Sequence, residues 1–308
     1  MLLKRSAKNT SAPCNPVYLE LAVTNLTSFP SISTVTPSFK AIAPHIDRKH
    51  QVAWCYMTEQ PRHCFTKELL DDLNTWCEYM AANADSLGIR YHVIASSATN
   101  IFNLGGDLAL FRQLVDHGDR DLLFDYAMLC IDALYANVVS FRSTVTTISL
   151  VQGEALGGGF ETALSSDVLI AEKRARLGFP EILFNLFPGM GAYSLLSRKL
   201  GGKRAEQMIL SGKLYSAEEL YDMGLVDVLA DDGEGEVAVF DYIKREDRAR
   251  NGFRAFRQVR NSVDPITYEE LKNSIEIWVD AAMRLEKRDL KMMDRIVARQ
   301  HQAMPRAA

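Results

Sequence analysis

The chain lacks most of the signatures that place a sequence quickly. It has no uninterrupted apolar run near the ~18 residues that mark a membrane helix, so no transmembrane segment is expected. Its first residues, Met1-Leu2-Leu3-Lys4-Arg5, lack the apolar stretch of a secretion signal, and a cytoplasmic location is expected. Neither sign of charge dominates. Lys+Arg 35 against Asp+Glu 39 give a net charge of −4, which offers nothing to a nucleic acid or an anionic membrane surface. The 5 cysteines are odd in number and form no CxxC pair, as for free thiols in a reducing compartment. The 6 histidines show no HExxH spacing, and no metal is expected. GxGxxG and GxxxxGK[ST] are both absent, so a nucleotide-phosphate loop is unsupported. There is no internal repeat and no low-complexity tract.

What is present is a chain of 308 residues, 47% hydrophobic and 24% charged, with ample material for a core. Residues 1–45 are rich in Ser, Thr, Asn and Pro and read as a partly loose extension, with a strand expected over Val17–Val23. From there strands and helices alternate. Val52–Met57, Tyr91–Ala95, Thr147–Val151 and Val168–Ala171 read as buried strands. Thr66 is placed to cap a helix from Lys67 to about Asn83. A second helix is expected from Arg120 to about Ala136, with Leu122, Leu123, Tyr126, Leu129 and Ile131 near helical spacing. The alternation predicts an α/β fold with a parallel sheet over residues 46–230. Helices then dominate beyond about Gly189: Ala192–Leu200, Lys203–Ser211, Ala217–Met223 and one long segment from Tyr268 to about Gln300. Asp231–Glu236 reads as a turn opening a helical region, 231–308.

The chemistry concentrates in two glycine turns and two glutamates. Val151-Gln152-Gly153-Glu154-Ala155-Leu156-Gly157-Gly158-Gly159-Phe160-Glu161 carries a strand into a glycine triplet and a helix. Phe102-Asn103-Leu104-Gly105-Gly106-Asp107 offers a second glycine pair, and Leu177-Gly178-Phe179-Pro180-Glu181-Ile182 a second carboxylate. Glycines between strand and helix expose backbone N–H groups. Two readings stay open for such turns: tight strand–helix packing, or an oxyanion hole in which Gly106 and Gly158 each donate to one carbonyl oxygen. An isolated glutamate is usually a solvated or capping carboxylate. A pair beside the turns favours acid–base work on a polarised carbonyl. Ser194 and Ser197 stand outside any nucleophile elbow, so a serine hydrolase is rejected.

These motifs resemble the crotonase (enoyl-CoA hydratase/isomerase) superfamily. The likeness runs from about Trp54 to Leu229 and adds Pro61-Arg62-His63-Cys64-Phe65, Phe187-Pro188-Gly189-Met190-Gly191 and Ser216-Ala217-Glu218-Glu219 before Gly224-Leu225-Val226. Phe102–Phe111, Leu183–Ser194 and Trp278-Val279-Asp280-Ala281-Ala282 are similar to bacterial diffusible-signal-factor synthases. The resemblance implies a ββα-spiral core with a helical C-terminal portion. It implies dehydration of a 3-hydroxyacyl chain on acyl carrier protein to a cis-2-enoyl thioester, then hydrolysis to a free acid used in quorum sensing. It also implies no cofactor beyond the phosphopantetheine or CoA thioester of the substrate, a homotrimer or hexamer, and in some bacteria a sensor-kinase partner.

By matching position, Glu161 and Glu181 correspond to the two catalytic glutamates, with Glu181 taking the α-proton and Glu161 protonating the departing hydroxyl. Gly106 and Gly158 correspond to the oxyanion-hole donors. Leu156 and Trp278 match apolar positions lining an acyl pocket, with ordinary core packing as the alternative. Glu154 is a departure from the family pattern. It is read as a surface residue beside the turn; facing the pocket, it would raise a neighbouring carboxyl's pKa. The rival activities are a plain enoyl-CoA hydratase of fatty-acid breakdown and a non-catalytic protein that binds acyl thioesters or a signalling partner.

Overall fold

A computed structural model describes residues 37–58, 62–98 and 100–302, with side chains to 296. Val17–Val23, expected as a strand, and most of the 1–45 extension lie outside the described residues. The strands legible as apolar runs form one sheet. β1 (Ile42–Asp47) pairs antiparallel with β2 (Val52–Met57). From β2 the sheet runs parallel through β3 (Tyr91–Ser96), β5 (Thr146–Val151), β7 (Val168–Glu172) and β10 (Val228–Ala230). All residues of β3, β5 and β7 are buried, which is why their sequences are near-continuous apolar runs rather than alternating ones. β1 crosses the boundary expected at residues 45 and 46, because its pairing with β2 closes the edge of this sheet.

A second sheet was not anticipated as such. β4 (Ile101–Asn103), β6 (Glu154–Leu156), β8 (Arg176–Gly178) and β9 (Leu214–Ser216) form it in that order, the first three parallel. Each is three residues long, too short to display a period of two. Successive strands alternate between the sheets, β3 to β4, β5 to β6 and β7 to β8, and this is the expected ββα spiral.

Helix α1 (Lys67–Asn83) begins where Thr66 Oγ1 accepts the Leu69 N–H at 3.2 Å. It buries Leu69, Leu70, Leu73, Trp76 and Met80 on one stripe. After α2 (Leu108–His117), α3 (Arg120–Val138) buries Leu123, Tyr126, Ala127, Cys130, Ile131 and Leu134. Leu122, expected on that face, is 57% exposed; a 100° step from Leu123 carries it off the stripe. α4 (Gly158–Leu164) follows the glycine triplet, and α5 (Ala192–Leu200), α6 (Gly202–Ser211) and α7 (Ala217–Asp222) come next.

The C-terminal helices are α8 (Gly235–Asp247), α9 (Arg250–Val263), α10 (Tyr268–Ala282) and α11 (Lys287–Gln302). The single long helix expected from Tyr268 is therefore two. The Met283, Arg284 and Leu285 N–H groups turn back onto Val279, Ala281 and Ala282, and the Asp289 carboxylate accepts the Glu286 N–H at 3.0 Å, starting α11 afresh. α8 packs Val239, Tyr242 and Ile243 against the first sheet, and α10 lies along α3. That last contact places a distant stretch of sequence over the ends of the glycine turns. No helix among the described residues is long and apolar enough to cross a membrane.

Candidate active site

The first turn begins where β4 ends. Asn103 Oδ1 accepts the Gly105 N–H at 2.8 Å, and Gly105 takes φ +89°. A methyl group at Gly105 would lie 2.8 Å from the Leu156 carbonyl oxygen and 3.2 Å from the Gly158 nitrogen, so only glycine lets the two turns lie side by side. Phe65 N–H donates to the Gly105 oxygen at 2.8 Å and ties the turn to the segment before α1.

The second turn runs from β6 into α4. Gly157 sits at φ +52°, ψ −122°, and a methyl there would lie 2.2 Å from Glu181 Oε1. The triplet thus makes room for the second glutamate. Gly158 is the first residue of α4, so its N–H belongs to the helix's first turn and has no intrahelical acceptor.

Glu161 stands one turn into α4 and is 1% exposed. Its Oε1 accepts the Ala192 N–H at 2.9 Å. The Phe187–Gly191 motif delivers that N–H: Gly191 turns at φ +103° to start α5. Gly189 leaves space for the Trp278 indole, whose atoms would be 2.6–2.9 Å from a methyl there. Glu181 opens a short 3-10 turn after Pro180. Its stem is partly exposed, but Oε2 is buried and meets no hydrogen-bond partner among the described residues.

Burial drives both carboxyls toward the neutral form. It pushes Glu181 up to about 8. It pushes Glu161 well above the usual carboxylate range, and the neighbouring Glu181 adds like-charge repulsion. The two differ in environment: one carboxyl held against a helix start, the other with an unpartnered oxygen. Such a pair can hold one proton and one charge at once.

Glu161, Glu181, Gly106 and Gly158 line one cavity of about 70 Å³, together with Met190 and Trp278. Four of the sequence-predicted residues therefore meet, and Trp278 joins them from α10, its ring 5.1 Å from that of Phe111. Leu156 is not brought to the cavity. It packs against Ala98, Ile101 and Leu104 in a small satellite cluster. Glu154 stands one strand period from it, opposite Arg176, and also lies outside the lining. Sequence reasoning missed Met190, Tyr126 and Cys130 as cavity residues. Met190 lay inside a quoted motif, whereas Tyr126 and Cys130 carry the ordinary pattern of a core helix face.

The family model for enoyl-CoA hydratase/isomerase matches residues 48–284. Among curated relatives, the fatty acid oxidation complex subunit alpha of Pseudomonas savastanoi pv. phaseolicola is 32% identical over 197 residues, covering 63% of this chain and 26% of the relative. The chain thus spans about a quarter of the length of that larger subunit. A Bacillus subtilis protein, YhaR, named as an enoyl-CoA hydratase/isomerase, is 29% identical over 227 residues, covering 73% of this chain and 83% of its own. Among solved structures, DspI of Pseudomonas aeruginosa aligns with a TM-score of 0.64 at 24% identity, covering 80% of this chain and 98% of that one. That likeness is one of fold.

Proposed function

Because the chain belongs to the enoyl-CoA hydratase/isomerase family, we propose that its two buried glutamates dehydrate a 3-hydroxyacyl chain on acyl carrier protein and that the same cavity then releases a free cis-2-unsaturated acid. The observation that carries this reading is the carboxyl pair itself, facing the backbone of two glycine turns across one largely apolar cavity. The finer assignment, a diffusible-signal-factor synthase, is supported by the sequence likeness at Phe102–Phe111, Leu183–Ser194 and Trp278–Ala282.

The Glu181 carboxylate removes the α-proton, and the electron pair moves onto the thioester oxygen. The Gly106 and Gly158 N–H groups hold that oxyanion, each contributing about 3–4 kcal/mol by analogy with removal of one such donor. The electrons return to form C2=C3 as the C3–O bond breaks, and the Glu161 carboxyl protonates the departing hydroxyl as water. Hydrolysis adds water at the carbonyl and expels the carrier's thiol. Motif position gives Glu181 the role of base and Glu161 that of acid; burial and the neighbouring Glu181 push Glu161 well above the usual carboxylate range, which favours its protonated form.

The expected pH dependence follows from those directions. Dehydration needs Glu181 ionised and Glu161 protonated. kcat/KM should therefore rise with pH through about 8 and fall once Glu161 loses its proton. A plateau extending down to pH 5 would contradict the assignment of Glu181 as base.

Trp278 is the proposed gauge of chain length. By the likeness to synthases of medium-length signals, chains of about twelve carbons should be favoured, and removing four methylenes that become buried on binding should cost about 3 kcal/mol. Trp278→Ala should flatten the kcat/KM profile across eight- to fourteen-carbon substrates while the glutamates still turn over. An unchanged profile would return Trp278 to ordinary packing. Thiol release from a 3-hydroxyacyl carrier protein tests the function as a whole. A plain hydratase, the reading favoured by the names of the curated relatives, leaves the thioester intact. Assembly as a homotrimer or hexamer is part of the same proposal: α9 leaves Phe256 69%, Val259 58% and Val263 77% exposed, a face that a second copy would cover.

A further inference from the structure

We infer that Tyr126 is a positioning residue for the turn that carries Gly106, bracing it from behind so that its backbone stays aimed into the cavity. The inference rests on the oxyanion-hole reading above. Tyr126 comes from α3 and is 8% exposed. Its hydroxyl donates to the Phe65 carbonyl oxygen at 2.7 Å and accepts the Asp107 N–H at 2.8 Å. Those two residues flank Gly106 in space and in sequence: Phe65 bridges Gly106 in a short parallel pairing, and Asp107 follows it. A methyl on Gly106 would lie 3.5 Å from the same hydroxyl. One phenol thus joins the segment before α1, the glycine turn and α3.

Asp107 is held a second time through its side chain. The carboxylate accepts the Leu110 N–H at 3.1 Å, capping α2, and pairs with Arg62. Arg62, from the Pro61-Arg62-His63-Cys64-Phe65 motif, is turned onto Asp107. The residue after Gly106 is therefore fixed through both its backbone and its carboxylate.

The geometry also says what Tyr126 does not do. Its single proton is given to Phe65, so none is left for substrate. Burial keeps the phenol well above its usual pKa and therefore protonated. It lines the cavity without being an acid or a base. Its contribution is preorganisation: hole donors act only when held where the oxyanion develops, and a misplacement of about 1 Å costs about 10²-fold in rate.

The test is Tyr126→Phe in the full chain, which keeps the ring and deletes the bridge. kcat for dehydration is expected to fall about 10- to 100-fold with KM within about 2-fold. The second readout is the carbonyl stretch of a bound, non-hydrolysable 3-hydroxyacyl thioester analogue. In the wild type two N–H donors should lower it relative to water, and in Tyr126→Phe it should move back toward the free value. A variant that melts earlier but keeps the wild-type kcat and carbonyl frequency would make Tyr126 a packing residue and overturn the inference. Absence of a lowered frequency in the wild type would instead sink the oxyanion-hole reading itself. Should Tyr126→Phe fail to fold, Arg62→Gln, at a partly exposed site, loosens Asp107 from its other side. A smaller change of the same kind in kcat and frequency is expected, and wild-type values for both would refute the brace.

Discussion

Glu161→Gln and Glu181→Gln are each expected to lower the dehydration rate about 10²- to 10⁴-fold while the fold persists. Gln keeps the shape and the acceptor oxygen that Glu161 presents to Ala192 N–H, but it cannot give or take the proton. The effect on stability should run the other way for Glu181. Its folded pKa is raised from 4.5 to about 8, so the folded chain binds more protons than the unfolded chain between those values. That contribution to stability is present in full below about 4.5 and is lost as pH rises through about 8. Glu181→Gln stays neutral throughout and should melt higher than wild type near pH 8, with little difference near pH 4. Thermal melts at both pH values and single-turnover rates check the two halves. Near-normal turnover in either variant would remove that residue from the mechanism. An inactive Glu181→Gln that also melts lower at pH 8 would mean the carboxyl is held by partners rather than stranded.

Gly157→Ala should be nearly as damaging as removing a carboxylate, about 10²-fold or more in kcat. The added methyl would sit 2.2 Å from Glu181 Oε1, so the glutamate must swing out or the start of α4 must shift. The backbone at φ +52°, ψ −122° also disfavours any residue with a Cβ. Gly118→Ala separates these causes. Gly118 also has a positive φ, +74°, but a methyl there meets nothing within 4 Å. It should lose about 1 kcal/mol of stability and almost no activity. Equal loss of activity in the two variants would show that backbone strain, rather than the contact with Glu181, is responsible.

The parts of this site that could be read in the sequence are those whose causes are local. A glycine triplet between a strand and a helix announces its turn, and a glutamate one helical turn later falls beside it. The Pro-Glu after Leu177-Gly178-Phe179 was legible as a motif but not as the end of a strand, because β8 before it is only three residues long. Apolar runs of four to six residues announced β2, β3, β5 and β7, whereas β4, β6, β8 and β9 are defined by their partners rather than by their own composition. Leu156 shows the limit of reading by position. One residue before the triplet, it belongs to β6, and pairing in the second sheet sets it among Ala98, Ile101 and Leu104. Trp278 shows the reverse case, since nothing near it in sequence concerns the glycine turns. It reaches the cavity because α10 packs along α3, and Gly189 is shaped by its indole. Tyr126 was legible as a core residue of α3, but its hydroxyl's two partners lie 61 and 19 positions away, beyond any periodicity argument. The break between α10 and α11 turns on one reciprocal bond from Glu286 to Asp289 inside a stretch that otherwise reads as continuous helix.

The central claim is that one cavity carries a 3-hydroxyacyl chain through dehydration and on to the free acid. The most direct test is a single turnover of 3-hydroxydodecanoyl carrier protein in ¹⁸O-labelled water, with the products separated and identified by mass and by double-bond geometry. The account predicts a free cis-2-unsaturated acid with one ¹⁸O in its carboxyl group, abolished in Glu161→Gln and Glu181→Gln. Label appearing only in the 3-hydroxyl of an intact thioester, in equilibrium with a trans-2-enoyl thioester and with no acid released, would contradict it and leave a hydratase.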